Sequence, residues 1–261
     1  MFMPRISFPT TIIAYNHEKC NPLYLFYNAS FDLFFSVNYT ILLEYKKLKS
    51  DISKIAKILE KQNLKKSEFV KLMDGLNDPF LVLIFCILSL RTKDETTYPA
   101  ALRLFELGKT PKDFLNVSVE AVQKAIYPVG FYRNKAGQIL EIARVLVGNY
   151  GEIVPDNVEE LCKLKGVGRK TANLVVAKGY HKSAICVDVH VHRICNRLGY
   201  VKTKTPDETE LELRKKLPVE LWTEFNTLLV TFGQNICRPI NPKCDKCLIT
   251  EYCQDFSQKK D

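Results

Sequence analysis

Leu161-Cys162-Lys163-Leu164-Lys165-Gly166-Val167-Gly168-Arg169-Lys170-Thr171-Ala172-Asn173 is the stretch whose reading decides the fold. Two glycines one residue apart separate an amphipathic segment (Val158, Leu161, Leu164) from a helix-like one (Ala172, Leu174, Val175, Val176, Ala177). The pattern predicts a helix, a tight glycine hairpin and a second helix. Without Cβ atoms, Gly166 and Gly168 open backbone conformations closed to other residues and let a large partner approach the main chain around Val167. The second helix starts with unpaired N–H groups and a partial positive charge, to which Arg169 and Lys170 add full charges, so the corner suits a phosphate. A dinucleotide-binding fingerprint is excluded, because Thr171 holds the third glycine position and no apolar strand precedes Gly166. A P-loop is excluded too, since Gly-Arg-Lys-Thr is not Gly-Lys-Thr and the first glycine is missing. For a lone Gly-x-Gly the bland alternative is an αα-hairpin with glycines at the helix end, and the rest of the chain has to decide.

Outward from the hairpin, the pattern from Asp51 onward is helical. Ile52, Ile55, Ala56 and Leu59 recur on one face behind Asp51, a good N-cap. Pro79 opens an apolar helix ending near Leu90, and Asp94–Leu107 forms another. Shorter helices follow around 111–115 and 118–126, then Asn134–Asn149 with Ile139, Ile142, Ala143 and Leu146 on one face. Beyond the hairpin, Val189–Leu198, Asp207–Leu217 and Leu221–Asn235 complete the set. No stretch alternates with period two, and several helices start at proline (Pro111, Pro155, Pro206, Pro218). The protein reads as all-α. Residues 1–50 stand apart, rich in Phe and Tyr without a sustained period, as an extension of unknown role.

The 261 residues allow a sizeable core, and 46% hydrophobic with 26% charged residues describe an ordinary globular chain. A net charge of +9 suits a polyanionic partner such as nucleic acid. No secretory signal is visible, and the longest apolar run, Pro79 to Leu90, is too short to span a bilayer, so the expectation is a cytoplasmic protein with no membrane partner. Of nine cysteines, Cys237, Cys244, Cys247 and Cys253 crowd into 17 residues. That grouping suggests a metal site in a reducing compartment rather than a disulfide framework. Four thiolates suit tetrahedral zinc or a [4Fe-4S] cluster. A single Cys-x-x-Cys knuckle with wider, unequal flanking spacings favours the larger iron–sulfur cluster. Arg238 and Lys243, between the first two cysteines, either face a phosphate or are solvated charges.

Lys170 lies at a helix start, where the dipole opposes its charge, and next to Arg169 and Lys165. Those effects and burial predict a lowered pKa and an accessible free amine, the nucleophile for Schiff-base chemistry at a sugar aldehyde carbon. Asp188, in Cys186-Val187-Asp188-Val189-His190-Val191-His192-Arg193, is either the N-cap of the next helix or a carboxylate that stabilises a cationic sugar and moves protons. His190 and His192, two apart on a helix, point in different directions and do not read as a ligand pair.

Taken together, Leu-x-Gly166-Val-Gly168-Arg-Lys170-Thr-Ala, the Val-Asp188-x-His190-x-x-Arg193 that follows, and the Cys-x6-Cys-x2-Cys-x5-Cys tail resemble endonuclease III, the iron–sulfur helix–hairpin–helix family of DNA glycosylases with AP lyase activity. The resemblance covers about residues 51–261 and extends to Leu88–Asp94 and Gly130–Ala136. It implies two helical domains with DNA bound in the cleft between them. One is a six-helix barrel with the helix–hairpin–helix (73–181); the other combines a single N-terminal helix (51–72) with 182–261 and carries the cluster. By the same resemblance, Lys170 is the nucleophile that displaces a damaged base at C1′, and Asp188 assists base loss. Gly166, Val167, Gly168, Arg169, Arg91, Thr92, His190, Arg193, Arg238 and Lys243 face DNA, while the four cysteines hold a structural [4Fe-4S] cluster. The implied partner is double-stranded DNA with damaged bases or abasic sites, bound by a monomer in base excision repair, with the target base taken out of the stack. Two positions depart from the family pattern. Lys165 replaces the usual hairpin proline, and Arg91 stands where many members carry a glutamine that fills the gap left by the flipped nucleotide. An adenine-mismatch glycosylase shares the hairpin, aspartate and cluster but uses water instead of lysine and adds a C-terminal domain. A thymine- or uracil-mismatch glycosylase, a non-catalytic DNA-binding module and a zinc-dependent interaction protein complete the alternatives.

Overall fold

A computed structural model describes residues 52–258, and every regular element within them is helical. The aromatic segment 1–50 and the cap expected at Asp51 lie outside the described residues. Helix α1 (52–61) buries Ile52, Ile55, Ala56 and Leu59, the face its periodicity predicts. It stops at Asn63, which takes a left-handed φ of 46°, a conformation asparagine tolerates better than most residues. Ser67 then starts a separate helix, α2 (Glu68–Gly75), its hydroxyl accepting from Val70 N at 3.3 Å. The single N-terminal helix expected over 51–72 is therefore two, and position 72 falls inside the second.

Helix α3 (Pro79–Ser89) is capped by Asp78, whose Oδ1 accepts from Phe80 N and Leu81 N at 2.9 and 3.0 Å. Phe80 and Val82 through Leu88 are all buried. At roughly 1.5–3 kcal/mol per buried large apolar side chain, α3 is the axle of the first core. Packed round it are α4 (Asp94–Phe105), a 3-10 turn at Asp113–Asn116, α5 (Val119–Ile126), the long α6 (Tyr132–Tyr150), α7 (Val158–Leu161) and α8 (Arg169–Leu174). A π-helical turn, Val175–Gly179, continues α8. The second core gathers α1, α9 (Val189–Arg197), α10 (Pro206–Lys216) and α11 (Trp222–Asn235) with Ile249 of the cysteine loop. That loop has 3-10 turns at Cys244–Lys246 and Thr250–Tyr252 and ends in α12 (Gln254–Ser257).

Two polar clasps tie these cores together. Lys178, buried on the π-helical turn, reaches Asp74 of α2 at 3.2 Å and Glu224 of α11 at 3.1 Å. Glu210 of α10, also buried, takes a two-pronged bond from Arg169 of α8 (3.0 and 2.7 Å) and another from Arg214 at 2.7 Å. Arg214 in turn donates to Asn173 Oδ1 at 3.0 Å. These bonds fix α8, and with it Lys170, against the second core.

Candidate active site

The hairpin forms as the glycine spacing predicts, but its two glycines do different work. Asn157 caps α7 by accepting from Glu160 N at 2.9 Å, and the chain turns through Val167 N to Leu164 O at 3.0 Å. Gly166 has φ +73°, and a Cβ there would sit 2.5 Å from the Gln138 amide that bonds Lys165 O. The left-handed φ is what favours glycine at 166; a side chain there would also have to displace the Gln138 amide. Gly168, in contrast, is extended at φ −96°, ψ 173°, with nothing within 4 Å of where a Cβ would stand. Its backbone is open to any residue, contrary to the sequence expectation, and what it supplies is unobstructed access to the start of α8.

Lys170 in the first turn of α8 and Asp188 at the N-cap of α9 line one cavity of about 260 Å³, just under the roughly 300–1,000 Å³ usual for ligand pockets. Ser89, Thr92, Asp94, His190, Asn226, Thr227 and Gln234 give it polar walls; Phe69, Val70, Met73, Leu174 and Val230 give it apolar ones. Asp188 is a helix cap as well as a cavity carboxylate. Its Oδ1 accepts from His190 N at 2.8 Å and Val191 N at 2.9 Å, so the N-cap reading holds, and Oδ2 lies outside the cap.

The lysine's charge state reverses the sequence expectation. Burial pulls the pKa of Lys170 down, but nearby Cys186, Asp188, Cys86 and Asp94 more than offset it, and the net shift is upward. Burial itself pushes both thiols up, Cys86 to about 12. The Lys170 amine rests as an ammonium. Asp94 is the site residue the sequence reading missed. At the start of α4 it passes for an ordinary first-turn acid, yet it accepts from Gln234 Nε2 at 2.7 Å across 140 residues. Burial raises its pKa against the Gln234 bond and the attraction of His190 and Lys170, giving the cavity a carboxyl that protonates more readily than usual.

Several basic residues expected on DNA are already engaged. Arg169 spends its guanidinium on Glu210. Arg193 donates to Cys237 O (3.2 and 2.9 Å) and meets His190 Nδ1 at 3.1 Å. The Thr92 hydroxyl is a node between loops, accepting from Gly130 N and Lys135 Nζ at 3.1 Å each. Arg91 and Arg238 are exposed; Lys243 is half-buried at the edge of the cysteine cavity. Arg91 has a left-handed φ of 52°, and its guanidinium lies 5.9 Å from the ring of Phe131, itself at φ 58° and 60% exposed.

Cys237, Cys244, Cys247 and Cys253 all line a second cavity, with Ile194, Phe232 and Ile236 among its walls. Among the described residues no three His, Cys, Asp or Glu side chains gather as they would round one metal ion. The four thiols share that one cavity, and four thiolates are a donor set that suits a [4Fe-4S] cluster or a zinc ion. Arg197 braces this loop from α9, donating to Cys237 Sγ at 3.4 Å, Arg238 O at 2.7 Å and Pro239 O at 3.0 Å.

Residues 84–219 match the HhH-GPD superfamily of base excision DNA repair proteins. Endonuclease III of Thermotoga maritima is 50% identical over 182 residues, 70% of this chain and 85% of its own. The structure of a non-covalent endonuclease III–DNA complex superposes with a TM-score of 0.72 at 32% identity, covering 81% of this chain and 98% of that one. A trapped endonuclease III–DNA covalent intermediate gives the same TM-score and identity over 82% and 99%. The chain belongs to the endonuclease III family, the DNA glycosylases with AP lyase activity of base excision repair. No helix among the described residues is long and apolar enough to cross a membrane.

Proposed function

We propose that the chain excises oxidised pyrimidines from double-stranded DNA through a Schiff base on Lys170 and then cleaves 3′ to the abasic site by β-elimination. The observation that carries this reading is the convergence of Lys170 and Asp188 on one cavity with both polar and apolar walls. Binding of the nucleotide brings C1′ to Lys170, whose ammonium first gives up a proton; Asp188 and Asp94 are the nearby acceptors. The neutral amine attacks C1′, the base leaves with a proton, and the opened sugar becomes an imine. Loss of a C2′ proton then expels the 3′ phosphate. Asp188 stabilises positive charge on the sugar as the base departs.

In this reading residues 73–181 form the barrel domain and 51–72 with 182–261 form the cluster domain, although Phe69, Leu72, Ala184 and Cys186 pack into the first core. DNA lies across the cleft between them, and the enzyme acts as a monomer. Gly166, Val167 and Gly168 meet phosphate through the main chain, Arg91 fills the emptied stack, and Arg238 and Lys243 approach the backbone. Cys237, Cys244, Cys247 and Cys253 hold a [4Fe-4S] cluster, which when bound cross-links the loop that Arg197 braces. The single Cys-x-x-Cys with unequal flanking spacings favours the cluster over zinc. The test is a thymine-glycol duplex compared with A·G and G·T mismatched duplexes. Base release coupled to a 3′ nick on the first alone supports the reading. Release from a mismatch without a nick overturns it in favour of a monofunctional mismatch glycosylase.

A further inference from the structure

One buried cation outside the reacting centre has no carboxylate partner. Lys135, in the first turn of α6, is 5% exposed. Its ammonium donates to Leu88 O at 2.8 Å, Leu90 O at 2.6 Å and Thr92 Oγ1 at 3.1 Å, which uses all three of its N–H bonds. Burial alone lowers its pKa, to about 8. A lone buried ammonium is costly and is matched here by the carbonyls at the negative end of α3.

What those acceptors share is the loop carrying Arg91. Between Leu90 and Thr92 the chain reverses through the left-handed conformation of Arg91, which a residue with a Cβ adopts only when its surroundings impose it. The Thr92 hydroxyl that receives Lys135 also accepts from Gly130 N and donates to Leu90 O at 3.2 Å. Gly130 packs so closely that a Cβ there would sit 2.7 Å from Arg91 O. One residue further on is Phe131, whose exposed ring faces the Arg91 guanidinium. Lys135 thus ties down the 88–92 segment, and the Thr92 hydroxyl it bonds carries that hold on to Gly130.

We infer that Lys135 is a positioning residue: its buried ammonium holds the Arg91 loop in its left-handed turn, so that Arg91 and Phe131 meet the duplex as one preformed pair. This rests on the base-excision reading above and assigns Lys135 no part in the chemistry. A preformed pair lowers the cost of opening the stack and does nothing for a sugar already outside one.

The test uses Lys135→Met, similar in length and without the ammonium, in wild-type and Arg91→Ala backgrounds. Base release from the thymine-glycol duplex should fall about tenfold or more, as misplacement by an ångström costs. Borohydride trapping on a single-stranded abasic oligonucleotide, which has no stack to open, should stay within about twofold. In the Arg91→Ala background, Lys135→Met should change duplex turnover by less than about twofold, the non-additivity of residues acting as a unit. Hydrogen exchange at residues 90–92 should quicken in the variant, a readout that stands even if wild type acts on neither substrate; that result would refute the base-excision reading instead. Equal losses on both substrates, full additivity with Arg91→Ala, or unchanged exchange would overturn the inference. Should Lys135→Met fail to fold, Thr92→Val removes the shared hydroxyl with Lys135 intact. The same duplex-only loss supports the inference, and no loss overturns it.

Discussion

Glu210→Gln probes the clasp that fixes the hairpin helix to the second core. Glu210 has 4% of its side chain exposed and faces two guanidiniums, Arg169 at 42% and Arg214 at 32%. Removing one partner from a fully buried ion pair costs about 3–5 kcal/mol. Here both cations are partly in water, which screens the loss, and glutamine keeps one acceptor oxygen. About 2 kcal/mol is the expected destabilisation at neutral pH. At about 2–4 °C per kcal/mol for a chain of this size, the melting temperature should fall by about 4–8 °C. The pH dependence is the sharper readout. Burial raises the Glu210 pKa, but bonds from Arg169 and Arg214 outweigh it and the net shift is downward. A carboxylate with a depressed folded pKa contributes stability that is complete above its unfolded value, about 4.3, and is lost as pH falls through the folded one. Urea unfolding of both proteins should therefore show the full gap at pH 7 and a closing gap as the acid range is entered. A gap under about 0.5 kcal/mol at pH 7, the size of a neutral surface change, or one that stays constant into acid, would refute the clasp.

Other consequences follow for the site itself. Asp188→Asn keeps a good helix cap and removes the charge, so unfolding should barely change while base release falls by about 10²–10⁴; Asp188→Ala should also lose about 1 kcal/mol of stability. A large loss of stability in the asparagine variant would reassign Asp188 to structure. Asp94→Asn removes one of the charges that hold the Lys170 proton, and the pH profile of trapping on a preformed abasic site should move to lower pH. A profile that stays put or moves up would show that Asp94 does not act on the lysine. For the cluster, purified protein should absorb at about 400 nm, and Cys244→Ser should bleach that band; a colourless protein holding zinc would contradict the assignment.

The hairpin and the helices that flank it were legible because each depends on local chemistry at short spacing, while the pairing of Lys170 with Asp188 came from the family resemblance. What was not legible depends on residues far apart. Arg169 reads as a phosphate ligand until Glu210, 41 positions on, claims it. Asp94 reads as a first-turn acid until Gln234 and the cavity reveal its setting. Lys170 shows how a correct list of local influences gives the wrong sign. The dipole and cationic neighbours are visible in the sequence, whereas the groups that reverse the shift, Cys186 first and then Asp188, Cys86 and Asp94, arrive from other elements. Gly168 illustrates the opposite error, a glycine credited with a special backbone when its use is simply to leave space. The break between α1 and α2 went unseen because Asn63, a residue that tolerates the left-handed turn, gives a weak stop signal without glycine or proline.

The central claim is that the Lys170 amine joins the sugar. Incubating wild-type protein and Lys170→Gln with a duplex carrying an abasic site, in the presence of borohydride to reduce any imine, tests it directly. The account predicts a covalent protein–DNA adduct with wild type, mapping to Lys170 by peptide mass, and none with the variant although it still binds the duplex. An adduct that persists in Lys170→Gln, or a wild type that binds the abasic duplex and yields no adduct, would contradict it.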